Sequence, residues 1–272
     1  GNNGTNAVPT GLIGVRAVAA GESHALALKT EGTIAAWGNN GDGQTSVPAD
    51  LSNVIAIAAN NDVSGAVKAD GTIAIWGDSS SPIVLALPTG LSSVRQLALG
   101  WDHALALRTD GTVVAWGANQ ARQINVPANL TNVIAVAAGN LNSTALRADG
   151  TVVTWGTLFA GSLPVPSALH SIQAISAYRT FVLALRSDRT VAGWGLNTYG
   201  QLDVPAGLSD VVSVSAGKFH SIALKADGTI VSWGRNESGQ RNTPPGLPPV
   251  SAVVAAGGSF ALIGTAVPMS PT

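Results

Sequence analysis

The fold is decided by one stretch that the chain repeats, which first occurs as Ala20-Gly21-Glu22-Ser23-His24-Ala25-Leu26-Ala27-Leu28-Lys29-Thr30-Glu31-Gly32-Thr33-Ile34-Ala35-Ala36-Trp37-Gly38. Its closing Trp-Gly pair recurs every 39 or 40 residues, at Trp37, Trp76, Trp116, Trp155, Trp194 and Trp233. A proline keeps the same period, at Pro9, Pro48, Pro88, Pro127, Pro166, Pro205 and Pro244. A period of about 40 residues with several short strands per unit is typical of a β-propeller.

Each full unit contains four short segments that we interpret as strands, seen in residues 54–58, 65–68, 72–76 and a segment that ends at Pro88. In most units the second and third strands are joined by Asp-Gly or Glu-Gly, a pair that suits a type I′ hairpin turn. One unit has Asp188-Arg189 instead. We expect about 1 kcal/mol of backbone strain there, because a side chain disfavours a positive φ angle.

The repeats predict an all-β chain that forms a seven-bladed propeller of four-stranded antiparallel blades. Residues 1–12 parallel the end of a unit, whereas the residues after Val250 parallel the start of one. We therefore expect N- and C-terminal strands to share the last blade, which closes the ring and removes free strand edges. Residues 1–265 are predicted to form a single domain, and residues 266–272 a tail or linker.

The composition excludes several classes of protein. Hydrophobic residues make up 46% of the chain and charged residues 11%, so the chain is not of the disordered type. A formal net charge of -1 gives no broad attraction to nucleic acid or anionic lipid. No apolar run approaches the ~18 residues of a membrane span, so we expect no membrane insertion.

The sequence offers no candidate catalytic centre, metal site or cofactor site. His24, His103 and His220 occupy the same place in units one, three and six, so they are spread around the ring and cannot share one ion. We interpret them as structural. The chain has no nucleophile elbow, phosphate-binding loop or cluster of carboxylates. We therefore predict that the protein is not an enzyme.

Strand direction assigns the loops to two faces. The turns after Ala-Gly and the loops after Trp-Gly share one face, which we call the top face, and the Asp-Gly turns share the opposite bottom face. A basic residue precedes each bottom turn at the same offset, as Lys68 and Arg147 do. We interpret these basic residues, and likewise the Trp-Gly tryptophans, as scaffold, because they recur in almost every unit.

The residues that break the repeat are candidates for binding. The aromatic residues outside the Trp-Gly pairs lie in the top loops or at their ends, and Phe181, which replaces the repeated histidine, is expected to pack. Large aromatic side chains anchor interfaces, and charged neighbours add specificity. The predicted binding residues are Trp101, Asp102, Phe159, Tyr178, Arg179, Tyr199, Lys218 and Phe219.

Top-loop charge is also uneven around the ring. Acidic residues come from units one to three, and basic residues mostly from units three to six, with Glu237 as the exception. The acidic residues are Glu22, Asp42, Asp62, Asp78 and Asp102, and the basic residues are Arg122, Arg179, Lys218 and Arg235. We expect a dipolar face, and the alternative of ordinary solvated loops stays open.

The motifs Gly21-Glu22-Ser23-His24-Ala25-Leu26, Asp-Gly-Thr and Gly41-Asp42-Gly43-Gln44 resemble the regulator-of-chromosome-condensation repeat family. The resemblance covers essentially the whole chain and implies a seven-bladed propeller. The short units are similar to the bacterial branch of the family, which includes propeller-type inhibitory proteins of beta-lactamases. Those proteins bind through aromatic and acidic residues in the top loops, and Trp101, Asp102, Tyr178, Tyr199 and Phe219 stand at matching positions here.

The function that we expect is protein binding without catalysis, with inhibition of a secreted enzyme such as a beta-lactamase as one form of it. A glycan-binding or adhesion propeller, or a structural domain of a larger bacterial extracellular protein, is the alternative. The absence of cysteine fits a bacterial protein that is secreted or held at the cell surface. We expect a monomer with no cofactor and no nucleic-acid partner.

Overall fold

The computed structural model describes residues 8–157, 165–167, 169–243, 246, 249–255, 257 and 260–265. The elements in chain order are β1 (Val15–Ala20), β2 (His24–Lys29), β3 (Ile34–Gly38), β4 (Val54–Asn60), β5 (Val63–Lys68), β6 (Ile73–Gly77), α1 (Pro82–Leu85), β7 (Val94–Leu99), β8 (His103–Arg108), β9 (Val113–Gly117), β10 (Val133–Ala138), β11 (Asn142–Arg147), β12 (Val152–Gly156), β13 (Ile172–Tyr178), β14 (Phe181–Arg186), β15 (Val191–Gly195), β16 (Val211–Ala216), β17 (His220–Lys225), β18 (Ile230–Gly234), β19 (Val250–Ala255) and β20 (Phe260–Thr265).

The strands form antiparallel sheets of neighbours in the chain. Six of these sheets have three strands, from β1–β3 to β16–β18, and we call them blades one to six. Strands β19 and β20 form a further sheet of two strands. The prediction of seven four-stranded blades is therefore wrong: within the described ranges the protein has six blades of three strands each.

The segment that was expected to form the fourth strand folds into turns instead. In residues 39–53 polar side chains satisfy the backbone, so no neighbouring strand is required. Asn40 accepts a hydrogen bond from the Thr45 amide at 2.9 Å, and the Gln44 side chain accepts one from the Asp42 amide at 2.9 Å. In blade two the equivalent segment contains α1, which Ser81 caps by accepting from the Ile83 amide.

The described residues also do not form the predicted closure by a shared blade. Residues 8–14 form no strand, and residues 1–7 lie outside the described part of the chain. Instead, β1 contacts both β19 and β20, so the ring closes by packing of blade one against the two-stranded sheet. The first strands of successive sheets contact one another in the same way, so these strands form the innermost ring.

The hairpins form at the Asp-Gly pairs, but the predicted type I′ turn is wrong: only the glycine of each pair has a positive φ, and Gly71 donates to the Lys68 carbonyl, the pattern of a type I turn followed by a G1 bulge. Asp70 accepts hydrogen bonds from the Thr72 amide and hydroxyl at 2.9 and 2.6 Å, and Gly71 has φ 78°. These bonds from Thr72, and a further one from Lys68, hold the pKa of the Asp70 carboxyl at about 2. The turn chemistry therefore explains why the second and third strands pair.

The Asp188-Arg189 turn keeps the same geometry, and Arg189 has φ 66°. A residue with a Cβ atom is destabilised by roughly 1 kcal/mol at a positive φ, whereas glycine adopts a positive φ freely. We expect Arg189→Gly to raise the free energy of unfolding by up to ~1 kcal/mol, as measured by urea denaturation. Gly150→Arg at the turn of blade four should destabilise by a similar amount, and a neutral result for both would contradict this account.

The core lies between blades rather than within any one of them. Leu105 and Leu107 of blade three are fully buried and pack with Val133 and Val136 of blade four. The Trp-Gly residues pack here as predicted, and Trp116 is 4% exposed. Because each blade buries one face against the next, the loops at the two ends of the blades are held in fixed positions.

A polar network also joins consecutive blades. Ser64 and the Trp76 indole both donate to the carbonyl of Gln44, at 2.7 and 3.0 Å. His24 of blade one lies 2.9 Å from the Ser64 hydroxyl, so its Nε2–H is the donor of that bond. The same arrangement recurs at His103, whose Nε2 lies 3.0 Å from the hydroxyl of Ser143. The structural role predicted for these two histidines is confirmed.

Candidate functional site

The turns between first and second strands meet around the ring axis on the top face. Backbone hydrogen bonds connect neighbouring turns: Glu22 donates to Asn61 at 3.1 Å, Trp101 to Gly139 at 3.2 Å, and Asn140 to Arg179 at 2.8 Å. The approach is so close that a Cβ on Gly139 would lie 2.6 Å from the Arg179 oxygen. Side chains from distant blades are therefore brought together over the axis.

Arg179 is the centre of this arrangement. Its guanidinium lies 4.9 Å from the ring centroid of Trp101, in blade three, and 5.6 Å from that of Phe219, in blade six. Both distances are within the range of cation–π attraction. Arg179 itself has φ 49°, a backbone conformation that is uncommon outside glycine.

A second group of stacked side chains lies beside Arg179. The rings of Tyr199 and Phe219 are 4.6 Å apart and tilted by 51°. The Arg235 guanidinium lies 5.0 Å from the Tyr199 ring and 5.5 Å from the Phe219 ring. Tyr199 keeps 40% of its surface exposed. We call Trp101, Arg179, Tyr199, Phe219 and Arg235 the aromatic–arginine cluster.

Glu22 ties this cluster to blade one. Its carboxylate accepts a short hydrogen bond from the Lys218 ammonium and lies 3.8 Å from the Arg179 guanidinium. The Glu22 side chain is only 27% exposed, so solvent screens these pairs less than it screens an ordinary surface pair. One carboxylate thus joins blades one, five and six across the axis.

We expect Glu22→Gln to lower the free energy of unfolding by about 1 kcal/mol, because two cations lose their counter-charge. The melting temperature should fall by about 2 °C for a chain of this size. Glu31→Gln is the matched control, since the Lys29–Glu31 pair at 3.2 Å is more exposed. Equal effects of both changes would contradict a special role for Glu22.

The structure brings together most of the residues predicted from the sequence. Trp101, Arg179, Tyr199, Lys218 and Phe219 all lie at or beside the aromatic–arginine cluster. Asp102 follows Trp101 in the same turn and is half-buried. Phe159 lies outside the described residues.

Tyr178 requires a correction. It was predicted to be part of an exposed binding surface, but it is 6% exposed and packs with Phe181, which is fully buried as expected. Tyr178 ends strand β13, and its position inside the strand pairing explains its burial. Burial, and after it the negative charge of Glu22, raises the pKa of its hydroxyl.

The contacts of Glu22 and Arg235 were not predicted from the sequence. Both were recognised as charged top-loop residues, but the expected separation of acidic and basic residues placed Glu22 away from its two partners. The signal that could have found the contact is position within the repeat. Glu22, Arg179 and Lys218 all lie in the turn between a first and a second strand, and those turns converge on the axis.

Across the described ranges, no three His, Cys, Asp or Glu side chains come close enough to hold an ion. The same part of the chain includes no helix of the length and apolarity that crossing a bilayer requires.

Four parts of the chain are similar to a known repeat family. Four stretches, residues 15–44, 94–123, 172–201 and 211–240, match the family model of the regulator of chromosome condensation (RCC1) repeat. These four stretches are similar to the RCC1 repeat. Each matched stretch begins in the first strand of a blade. It ends at a buried glutamine in the loop after Trp-Gly, which is Gln44, Gln123, Gln201 or Gln240. No curated protein matches the chain by sequence.

Several solved structures have a similar fold. Prp20p from Saccharomyces cerevisiae, which was described with its binding to Gsp1p and histones, has a TM-score of 0.75 at 20% identity, over 91% of this chain and 81% of that one. Human WBSCR16 gives 0.73 at 18% identity, over 93% and 87%. The ectodomain of the Physcomitrella patens receptor kinase CR4 gives 0.72 at 20% identity, over 94% and 72%. At these identities the likeness shows the fold alone.

Proposed function

We propose that this RCC1-repeat propeller is a non-enzymatic protein-binding module whose partner docks on the top face. The observation that carries the proposal is the aromatic–arginine cluster, where side chains from blades three, five and six stack over the axis with Tyr199 40% exposed. Trp, Tyr and Arg are the residues that most often dominate the free energy of protein association.

The cluster is also organised before any partner arrives. Arg179 is held by Trp101, Phe219 and Glu22, so its conformational freedom is already restricted in the free protein. Ordering a long side chain at an interface costs roughly 0.5–1.5 kcal/mol, and here most of that cost is met on folding. A rigid, half-buried surface of this kind favours a specific partner.

The stacking favours protein over glycan as the ligand. Sugars bind aromatic residues by covering a ring face, but a guanidinium already lies over the Trp101 ring at 4.9 Å and over the Tyr199 ring at 5.0 Å. A ligand that approaches the top face therefore meets a mixed cationic and aromatic surface. We keep a glycan-binding or adhesion propeller as the alternative that the experiment below separates.

The finer role that we propose is inhibition of a secreted enzyme such as a beta-lactamase, outside a bacterial cell. The support is the similarity of the short units to those of the bacterial branch, together with the placement of Trp101, Tyr199 and Phe219 in one cluster. The absence of cysteine is compatible with that location.

The test uses the purified chain and two matched variants, Trp101→Ala on the top face and Lys68→Ala on the bottom face. Each is titrated into a panel of secreted beta-lactamases with a chromogenic substrate, and each is applied to a glycan array. We expect a nanomolar to micromolar inhibition constant for at least one enzyme, lost with Trp101→Ala and kept with Lys68→Ala. Glycan binding without any protein binding would contradict the proposal.

A broader screen covers enzymes outside that panel. The same three proteins serve as baits for bacterial extracellular proteins, and the retained proteins are compared by mass spectrometry. We expect at least one protein retained by the original chain and by Lys68→Ala but not by Trp101→Ala. Retention that is the same on all three baits would contradict docking on the top face.

A further inference from the structure

Of the three cations at or beside the aromatic–arginine cluster, Arg179 alone donates no side-chain hydrogen bond within the described residues. Lys218 donates to the Glu22 carboxylate, and Arg235 donates to that of Glu237. The Arg179 guanidinium stays 3.8 Å from Glu22, beyond hydrogen-bonding distance, and its Nε is buried without a partner in this part of the chain. A guanidinium carries five N–H donors, so the hydrogen-bonding capacity of Arg179 is unused.

The contacts that hold Arg179 fix its position without using its donors. Its guanidinium lies 4.9 Å from the Trp101 ring and 5.6 Å from the Phe219 ring. Aromatic rings attract a cation through their negative faces, but they offer no lone pair to its N–H groups. Because 21% of the Arg179 side chain remains exposed, an acceptor from outside the chain can reach the guanidinium. The side chain is ordered in advance, so binding costs little further conformational entropy.

The ion pairs at this site leave one positive charge uncompensated. Three cations, Arg179, Lys218 and Arg235, share two carboxylates, those of Glu22 and Glu237. Glu22 serves two of the cations at once, and Lys218 takes the closer contact. One additional carboxylate would therefore balance the charge, with Lys218 keeping Glu22 and Arg179 binding the incoming group.

We propose that Arg179 binds an aspartate or glutamate side chain of the protein partner, through two parallel N–H···O hydrogen bonds to its carboxylate. This inference rests on the proposed protein-binding function and specifies the chemistry of the partner. The planar fork of arginine matches the two oxygens of a carboxylate, and such charge-assisted bonds are stronger than neutral ones. Trp101 and Phe219 flank the guanidinium, so their rings can cover the methylene groups of the acidic side chain.

A carboxylate fits this site better than a dianion or a cation does. A phosphate dianion would bring two negative charges to a site with one uncompensated positive charge, and Glu22 would repel the excess. A lysine or arginine of the partner would meet Arg179, Lys218 and Arg235, which carry the same charge as the incoming group. Glutamate is therefore the probe for the test.

The test titrates three peptides separately into the whole chain at low salt, and NMR follows the backbone amides and the Nε–H signal of Arg179. The peptides are acetyl-Glu-Gly-Glu-Gly-Glu-amide and its glutamine and lysine counterparts. We expect the glutamate peptide, at millimolar concentration, to shift the Arg179 Nε–H signal and the backbone amides of Trp101, Arg179 and Phe219. The glutamine peptide has the same shape without the charge, and it should leave these signals unmoved, as should the lysine peptide.

Substitutions at this site separate charge from hydrogen-bond geometry. Arg179→Gln should raise the dissociation constant of the glutamate peptide roughly tenfold, because it removes both. Arg179→Lys keeps the charge but not the planar fork, so we expect a loss of about threefold. Glu22→Gln should instead tighten binding about threefold, because the carboxylate that competes for Arg179 is removed. Arg147→Gln, at a half-buried arginine of the bottom face, is the matched control and should leave the dissociation constant unchanged.

Three outcomes would each overturn the inference: equal shifts by the glutamine and glutamate peptides, no shift at Arg179, or an unchanged dissociation constant in Arg179→Gln. If Arg179→Gln does not fold, Arg179→Lys and Glu22→Gln decide by the opposite directions of their effects. A protein partner that is lost with Trp101→Ala but binds Arg179→Gln with full affinity would leave the proposed function standing and refute this inference alone. Glutamate-peptide binding that weakens in Arg179→Gln, with no protein retained on any bait, would support the carboxylate site and refute the proposed function.

Discussion

We expect the free energy of unfolding to fall steeply as the pH drops from about 6.5 to about 4. His24, His103 and His220 are each at most 4% exposed, and burial lowers the pKa of each from 6.5 to about 4. The unfolded chain therefore binds protons through this range while the folded chain does not, so stability is complete above pH 6.5 and is lost below it.

The expected loss is large. A difference of about 2.5 pKa units corresponds to ~3 kcal/mol for each histidine, and three such groups approach the whole stability of an ordinary domain. The turn aspartates act in a separate range. Hydrogen bonds from Thr72 lower the pKa of Asp70 to about 2, so its contribution is lost only as the pH falls below about 4. The window between pH 6.5 and 4 thus reports mainly on the histidines, with a smaller opposite contribution from Asp62 and Asp102, whose carboxyl pKa values burial raises.

Urea denaturation at a series of pH values measures this effect, and the chain itself supplies the test variant. Asn142 occupies in blade four the position that His103 occupies in blade three. We expect His103→Asn to remove about a third of the stability change between pH 6.5 and 4. His170→Asn, at an exposed histidine of the bottom face, should leave it unaltered. A stability that is constant across this range would contradict the assignment.

The sequence predicted the repeat, the hairpin between the second and third strands and the structural role of His24 and His103, because each depends on a local pattern. Asp70-Gly71 specifies its own turn, and the short apolar run of residues 54–58 specifies a strand. The predicted fourth strand does not form, because the Val-Pro segment is short and side chains such as Asn40 and Gln44 satisfy its backbone groups. Whether side chains or a neighbouring strand satisfy these backbone groups cannot be predicted from the spacing of apolar residues alone.

The candidate site was predictable in its members but not in its geometry. Breaks in the repeat identified Trp101, Tyr199 and Phe219, since scaffold positions recur in every blade. The contact of Glu22 with Lys218 joins residues 196 positions apart, and it exists only because the ring closes. The burial of Tyr178 likewise follows from its pairing with Phe181 at the end of β13. Closure of the ring decided the first contact, and the extension of β13 to Tyr178 decided the second.

We expect Trp101→Ala and Phe219→Ala each to weaken binding of the protein partner by ~2 kcal/mol, about thirtyfold in Kd. Each change removes a large apolar ring from the top face and also one of the two aromatic supports of Arg179. Both variants should keep the melting temperature of the original chain within a few degrees, because neither ring lies in the core between blades.

The two changes should not be additive. Trp101 and Phe219 both hold Arg179, so once one ring is removed the arginine is already partly released, and removal of the second ring releases less. We therefore expect the double variant to lose less than the sum of the two single losses, as measured by calorimetric titration. Lys68→Ala with Arg147→Ala is the bottom-face control and should leave Kd unchanged. If that control pair abolished binding while the top-face pair did not, the partner would dock on the opposite face of the ring.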